Sequence, residues 1–555
     1  MQKHRKAHVF TAQAAISLVA FAVSFWAAPL GHAQSSLPQL GDEGLMSVAA
    51  ERKLGQRIAR EIYRDPDYLD DPVLGDYVQR IWQPLMQAAR QRGDLTPELQ
   101  DRFAWQVMLA RDRSVNAFAL PGGYLGVHLG LIALVANRDE LASVLSHEMI
   151  HVTQRHIARM TSKQSQQAPW LLGAMILGAL AARQNSDVAG AVISGSQAIN
   201  AQAQLNFSRD MEREADRIGF QIMQDAQFNM QGFAGMFDKL AVANRINDNG
   251  SYPYLRSHPL TSERIGDMQA RMPLGAQAAP APSADVAIEH AMMARRARIL
   301  ASPTVDLLRG EMAQAQIDLA KWTSRTASAP AQPLLAAGLY AGALAALKQR
   351  DFANAQKLLD SARESLPSHS LGIPPHGPAS APSRSQLLGG TQYAAQAVAV
   401  LQAEIALGQG VQAIAARQKA LAQLRPLAMG STPERAVLLH WAQLVSQNGG
   451  THADLAAASE TLQAWLVDKP QDALAWDALA AIFTAQKHTL RAIRAQGEAR
   501  VAVLDYSAAL DRFKAGQAAA RSSANADYIE LSIIDARTRA VQALQREFVS
   551  DKPLN

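Results

Sequence analysis

The chain has 555 residues, 48% of them hydrophobic but only 6% aromatic, a balance weighted toward alanine that favours packed helices over a β-sandwich and leaves room for several domains. Its net charge of +5 includes Lys3, Arg5 and Lys6 in an acid-free leader, so the remainder carries about +2, which is no basis for nucleic-acid binding despite a pI of 9.3. The absence of cysteine excludes disulfides, a thiol nucleophile and a thiolate-ligated metal.

Residues 1–33 have a basic start, an apolar run from about Ala14 to Leu30, and small residues Gly31 and Ala33 before Gln34. This pattern predicts a cleaved secretory signal and an exported chain. A retained membrane anchor is the alternative, although the run is shorter than the ~20 apolar residues a spanning helix needs. After a loose leader, Gln34 to Gly41, Met46 to Arg64 carries apolar residues at helical spacing. Asp71-Pro72 opens a second helix with Leu74, Tyr77, Ile81, Trp82 and Leu85 facing inward. Phe103–Ala110 and Val115–Leu120 read as strands, the second interrupted by Pro121-Gly122-Gly123, and Tyr124–Val127 leads into an apolar helix, Leu129–Ala136. Within the second strand, Asn116, Ala117, Phe118 and Ala119 are candidates for a sheet edge that pairs with an extended peptide; a strand simply buried in the sheet is the alternative.

The stretch Asp139–Met160 organises the rest. It contains His147-Glu148-Met149-Ile150-His151, an H-E-x-x-H motif in a helical pattern. One turn apart on one helix face, two neutral imidazoles can hold a single Zn²⁺, and Glu148 can reach a water there as general base. Apolar residues on most sides make this a core helix, so the polar groups of the motif need partners, and a metal would be one.

Thr161 to Gln204 is unusual: Ala168–Ala182 is almost wholly apolar, and Asp187–Ala203 is rich in Ala, Ser and Gly. A buried helical hairpin fits it, as does a flap over the site that touches unfolded polypeptide or the membrane surface. Phe207–Met223 then offers a third ligand. Glu212 and Asp216 are four apart, so a helix presenting Glu212 completes a two-His, one-Glu set, and Asp216 can accept an N–H from a ligating imidazole. Glu214 falls on another face and reads as solvated. His258, in Ser257-His258-Pro259, precedes a helix that Thr261 or Ser262 could cap, and the metal pattern upstream makes it a further site residue.

Together, H-E-x-x-H at 147–151, E-x-x-x-D at 212–216 and S-H-P-x-x-x-x-R at 257–264 resemble the CAAX prenyl-protease/HtpX-type zinc metallopeptidases, as does Asn116-Ala117-Phe118-Ala119 before Pro-Gly-Gly. The resemblance covers about Met46 to Met272. It implies one zinc per chain on His147, His151 and Glu212, Glu148 as catalytic base, Asp216 as support, and His258 as either an oxyanion stabiliser or a plug in the open zinc position. With a signal peptide and no convincing spanning helix beyond it, the chain departs from the membrane-embedded members and fits the exported branch. That branch implies a periplasmic endopeptidase for misfolded or stalled outer-membrane proteins, with a helical-repeat tail that docks on the outer-membrane β-barrel assembly machinery.

The expected architecture is mainly α: a zincin-type α+β metalloprotease domain with a small sheet (34–272), a Pro/Ala-rich linker (273–286), and an α-helical tetratricopeptide (TPR) solenoid (287–555). Ala343, Ala355, Leu359, Ala362 and Pro367 match one repeat, and Trp476, Leu479, Ala480, Phe483, Ala492 and Ala499 another. Ser368–Thr391 is a Pro/Ser/Gly-rich insertion. The competing functional class is a scaffold or chaperone for outer-membrane protein assembly whose protease site is latent.

Overall fold

A computed structural model describes residues 46–163, 208–245, 251–272, 284–324, 333–366, 390–522 and 527–550. The leader 1–33, the apolar segment 168–182, and most of the linker 273–286 and the insertion 368–391 lie outside these residues.

Helix α1 (Val48–Arg64) starts on Ser47, whose side chain accepts from Ala50 N. Strand β1 (Tyr68–Leu69) follows, and then α2 (Pro72–Arg92), with Asp71 as N-cap, Pro72 in the first turn and left-handed Gly93 at its end. The inward face anticipated for α2 is the buried one: Leu74, Tyr77, Ile81, Trp82 and Leu85 are all at most 2% exposed.

After a short α3 (Pro97–Arg102) come β2 (Gln106–Ala110), β3 (Ala117–Leu120) and β4 (Tyr124–His128). Both anticipated strands are present but begin two to three residues late. The Asn116 backbone still bonds across the sheet, its O accepting from His128 N at 3.0 Å. Pro121-Gly122-Gly123 forms a single 3₁₀ turn that reverses the chain between β3 and β4, with Gly122 and Gly123 at φ 74° and 84°, a region only glycine enters freely.

The sheet order is β1-β2-β4-β3. β2 and β4 are parallel, and β1 and β3 run antiparallel to their neighbours. β3 is therefore an edge strand, and it packs against the helix that carries the H-E-x-x-H motif.

Behind the sheet, α4 (Leu129–Leu134) leads to α5 (Arg138–Thr153) and α6 (His156–Lys163). Further on are α7 (Arg209–Asp225), α8 (Gln231–Arg245), the single turn α9 (Tyr254–Ser257) and α10 (Ser262–Arg271).

The rest of the described chain is helical. α11 (Ala284–Ala301), α12 (Val305–Ser324), α13 (Pro333–Lys348) and α14 (Phe352–Glu364) precede the insertion. α15 (Gly390–Gly408), α16 (Ile414–Ala428), α17 (Arg435–Leu444) and α18 (His452–Asp468) follow it. α19 (Ala473–Ala485), α20 (Thr489–Ala502), α21 (Tyr506–Arg521) and α22 (Tyr528–Ser550) complete it.

Consecutive helices pack pairwise, α13 on α14 and α19 on α20 among them. Ala343, Ala355, Leu359 and Ala362 are completely buried between the first pair, and Leu479, Ala480, Phe483, Ala492 and Ala499 are buried in the second. Small side chains there let the helices approach closely.

The tail folds back onto the first part of the chain, so that the elements from Met46 on form one compact unit. α11 packs on α4 and α2, and α17 packs on α2. Among the described residues, no helix is long and apolar enough to cross a membrane.

Candidate metal centre

Asn137 caps α5 by accepting from Glu140 N, and Asp139 and Glu140 add negative charge to its first turn. Every residue from Asp139 to Thr153 is buried, as the apolar flanks of the motif predict. The helix does not run on to Met160. It ends at Thr153, and Arg155 takes a left-handed φ of 52°, held by a hydrogen bond from its Nε to Glu51 (2.9 Å). The chain then restarts as α6 at His156.

Helix α7 crosses α5 at the motif. Gly219 makes the approach possible, because a Cβ there would sit 3.2 Å from His147 N. Glu212, Asp216 and Gly219 are four and three residues apart, so all three share the face turned to α5. α9 and the loop after it bring His258 to the same point, with Tyr254 stacked on its ring at 4.6 Å between centroids.

One ligand atom from each of His147, His151, Glu212 and His258 can be chosen so that all four lie within 4.8 Å of one another. His147 Nε2 is 3.0 Å from His151 Nε2 and 3.3 Å from His258 Nδ1. The Glu212 carboxylate is 3.5 Å from each of the first two nitrogens and 2.9 Å from His258 Nδ1. A tetrahedral ion with ligand bonds of ~2.0–2.1 Å has ligand–ligand edges of ~3.3 Å, so these separations and this N/O donor set fit one zinc ion per chain.

Glu148 stands beside the group, its Oε1 3.3 Å from His258 Nε2. Both its oxygens are buried without a hydrogen bond among the described residues, which is expected of a group whose partner is a water or a substrate. All five residues are at most 2% exposed, so the centre is closed.

The surroundings are built to hold positive charge. Asp216 Oδ1 accepts from His147 Nδ1 at 2.9 Å, which turns Nε2 toward the other donors. Arg264 forks onto Asp216 at 2.7 and 2.8 Å and places Nη1 2.8 Å from Glu212. Burial opposes charging His147, but Asp216 and Glu212 outweigh it and raise its pKa to about 10. Burial, and then the neighbouring His147, push His151 well below the usual histidine range and keep it neutral. Against burial, His258 and His147 hold the Glu212 carboxyl well below the carboxylate range, and Arg264 lowers Asp216 in the same way.

The structure thus brings His147, Glu148, His151, Glu212, Asp216 and His258 together. The strand residues Asn116, Ala117, Phe118 and Ala119 line up at the sheet edge beside α5 rather than among the ligands. Asn116 is 1% exposed, and its side-chain amide has no hydrogen-bond partner among the described residues.

Glu214 is not simply solvated: its Oε2 accepts from His156 Nε2 (3.1 Å) and Arg159 Nη1 (2.9 Å). Neither the contact of His156 with His151 nor the fork of Arg264 onto Asp216 and Glu212 follows from the sequence. Arg264 was visible as the last position of S-H-P-x-x-x-x-R, whereas His156 carried no signal until the helix break was known.

Two histidines one turn apart, a glutamate from a second helix and a carboxylate beside the first histidine have the arrangement of a zincin-type metallopeptidase centre. Consistent with it, residues 75–272 match the model of Peptidase family M48. The chain is 33% identical to the beta-barrel assembly-enhancing protease of Yersinia pestis, over 43% of this chain and 48% of that protein. It is 30% identical to the protein of that name in Escherichia coli (strain K12), over 42% and 47%. The mitochondrial metalloendopeptidase OMA1 of Saccharomyces cerevisiae is 29% identical over 35% of this chain and 55% of that protein. The chain spans about half the length of the relatives it matches.

Proposed function

We propose that the chain is a zinc-dependent endopeptidase of the bacterial periplasm, that it acts on extended, poorly folded polypeptide, and that His258 closes its metal site in the conformation described here. The observation that carries this reading is the set of four donor atoms with Glu148 beside them. His147, His151 and Glu212 would hold the ion, and zinc bound there would supply Lewis acidity toward a scissile carbonyl and its attacking water. Glu148 takes the proton of that water and returns it to the leaving amine.

His258 Nδ1 stands where the fourth ligand belongs, and its Nε2 faces Glu148. A substrate carbonyl and a water cannot enter until this ring turns away, so His258 acts as a gate. β3, which pairs only with β4 among the described strands, offers its other edge to the substrate backbone, with Asn116, Ala117, Phe118 and Ala119 along it. An edge strand beside a closed cleft admits an extended chain and not a folded domain.

Export rests on the leader pattern in residues 1–33. The helical tail, read as TPR-like repeats, would grip a partner. The bacterial relatives are named for enhancing β-barrel assembly, and on this reading the substrates are outer-membrane β-barrel proteins and the docking partner is their assembly machinery. A closed site also suits a chaperone or scaffold role for the same clients.

Casein hydrolysis by the purified mature chain, with bound zinc quantified, tests the reading. Wild type is expected to hold one zinc and cleave slowly, and His258→Ala to cleave faster with zinc retained. A slower His258→Ala with zinc retained would overturn the gate and give the histidine a transition-state role. A wild type that takes up no zinc would overturn the centre itself.

A further inference from the structure

Behind His151 lies a second line of polar groups that the proposed catalytic steps do not use. His151 Nδ1 is 2.9 Å from His156 Nδ1, and His156 Nε2 is 3.1 Å from Glu214 Oε2. Both histidines are fully buried, while Glu214 lies near the surface, held from its other side by Arg159. In an unbroken helix, positions 151 and 156 would point about 140° apart. The reversal at Gln154-Arg155 is what returns His156 to the back of His151.

With both rings neutral, these distances allow two proton arrangements. In one, His151 Nδ1–H donates to His156 Nδ1, and His156 Nε2–H donates to Glu214. In the other, His156 Nδ1–H donates to His151 Nδ1, which leaves His156 Nε2 a bare lone pair against the Glu214 carboxylate. The carboxylate can only accept, so it selects the first. That arrangement also leaves His151 Nε2 without a proton, as a metal ligand must be.

We propose that His156 and Glu214 are positioning residues that fix the tautomer and orientation of His151 for metal binding. They are the counterpart, on the second ligand histidine, of what Asp216 does for His147. The two ligands are served differently. Asp216 reaches His147 directly from α7, whereas Glu214, two residues away and turned to the other side of that helix, reaches His151 only through an intervening imidazole.

The inference rests on the metal-centre reading, and the experiment separates the two. Zinc affinity is measured by chelator competition for the full mature chain and for three variants, with the thermal midpoint of each metal-free protein recorded. Glu214→Ala removes the acceptor at a partly exposed position. His156→Phe keeps a ring but cannot accept from His151. Glu214→Gln keeps an accepting oxygen without the charge. Zinc affinity is expected to fall ~10–100-fold in Glu214→Ala and His156→Phe, the range for lost outer partners of ligands. Glu214→Gln should recover most of it, with metal-free midpoints close to wild type. In cobalt-substituted protein, the visible absorption of the first two variants should shift, reporting a displaced imidazole.

If His156→Phe and Glu214→Ala bind zinc as tightly as wild type, the relay is overturned while the centre stands. If all three variants lose affinity in proportion to a fall in metal-free midpoint, the pair is merely structural and the inference also fails. A wild type that binds no zinc would instead sink the underlying reading.

Discussion

At the scale of single residues, the centre works by complementary charge. Glu148 is the one carboxylate beside the ligand set with no hydrogen bond among the described residues, whereas Glu212 and Asp216 are each held by Arg264 and a histidine. Glu148→Gln is therefore expected to keep one zinc and lose casein hydrolysis by ~10²–10⁴-fold, the usual weight of a general base. Hydrolysis within threefold of wild type would remove Glu148 from the mechanism. Arg264 is 4% exposed and neutralises two buried carboxylates, so Arg264→Met leaves them facing each other. Removing one partner of such a pair costs ~3–5 kcal/mol. The loss should show as a lower denaturation midpoint in the metal-free protein and a smaller drop with zinc present, because the ion supplies charge to Glu212. Equal drops with and without zinc would separate Arg264 from the centre.

At the scale of elements, the distance between α5 and α7 sets the geometry of the ligands. The atoms that a Cβ on Gly219 would meet at 3.2–3.3 Å are backbone atoms of Ser146 and His147, which cannot rotate aside as a side chain can. Gly219→Ala must therefore part the helices by a few tenths of an ångström, carrying Glu212 and Asp216 away from His147. Overpacking of this kind costs ~1–3 kcal/mol, offset by ~1 kcal/mol of helix propensity. The clearer expectation is a zinc affinity several-fold weaker, measured by chelator competition, beside a net stability loss of ~0–2 kcal/mol; unchanged affinity would show that the helices yield without moving the ligands. The grouping of His147, His151 and Glu212 was legible in the sequence, because H-E-x-x-H and E-x-x-x-D are spacings within single helices, where chain separation fixes the face. His156 was not, because its contact with His151 depends on the break at Arg155, a non-glycine residue in a left-handed conformation that no local pattern announces. The small sheet was legible as strands, but its order was not: β4 reads as a lead-in to α4, yet it pairs with both β2 and β3.

At the scale of the whole molecule, the helical tail is bound to the part of the chain that carries the metal centre by buried charge as well as by apolar packing. Arg296 of α11 forks onto Asp71 at 2.9 and 2.7 Å and also reaches Glu404. Arg435 of α17 bridges Asp70 and Asp472, and Arg80 of α2 bridges Glu289 and Glu434. The pairs to Asp70 and Asp71 and those of Arg80 join residues more than 200 positions apart, which is why the sequence suggested a domain and a solenoid but not how one seats on the other. One group in this seam is out of balance. Asp76 of α2 accepts from Ala436 N at the start of α17, and burial, then the charge of Glu434, raise its pKa from 3.8 to about 7. Between these values the folded protein keeps a proton that the unfolded chain has lost. The stabilisation from this group is therefore complete below pH ~4 and disappears as pH rises through about 7, with a slope of at most ~1.4 kcal/mol per pH unit. Asp76→Asn keeps an accepting oxygen for Ala436 N and does not titrate. The difference in denaturation midpoint between Asp76→Asn and wild type should thus widen in favour of the variant from pH 5 to pH ~7.5 and then level off. Calorimetry of both proteins across that range decides it: parallel profiles would mean that Asp76 is ionised throughout and that Arg80 and Arg435 neutralise it, whereas a widening gap would make the seating of the tail firmer in mild acid than at neutral pH.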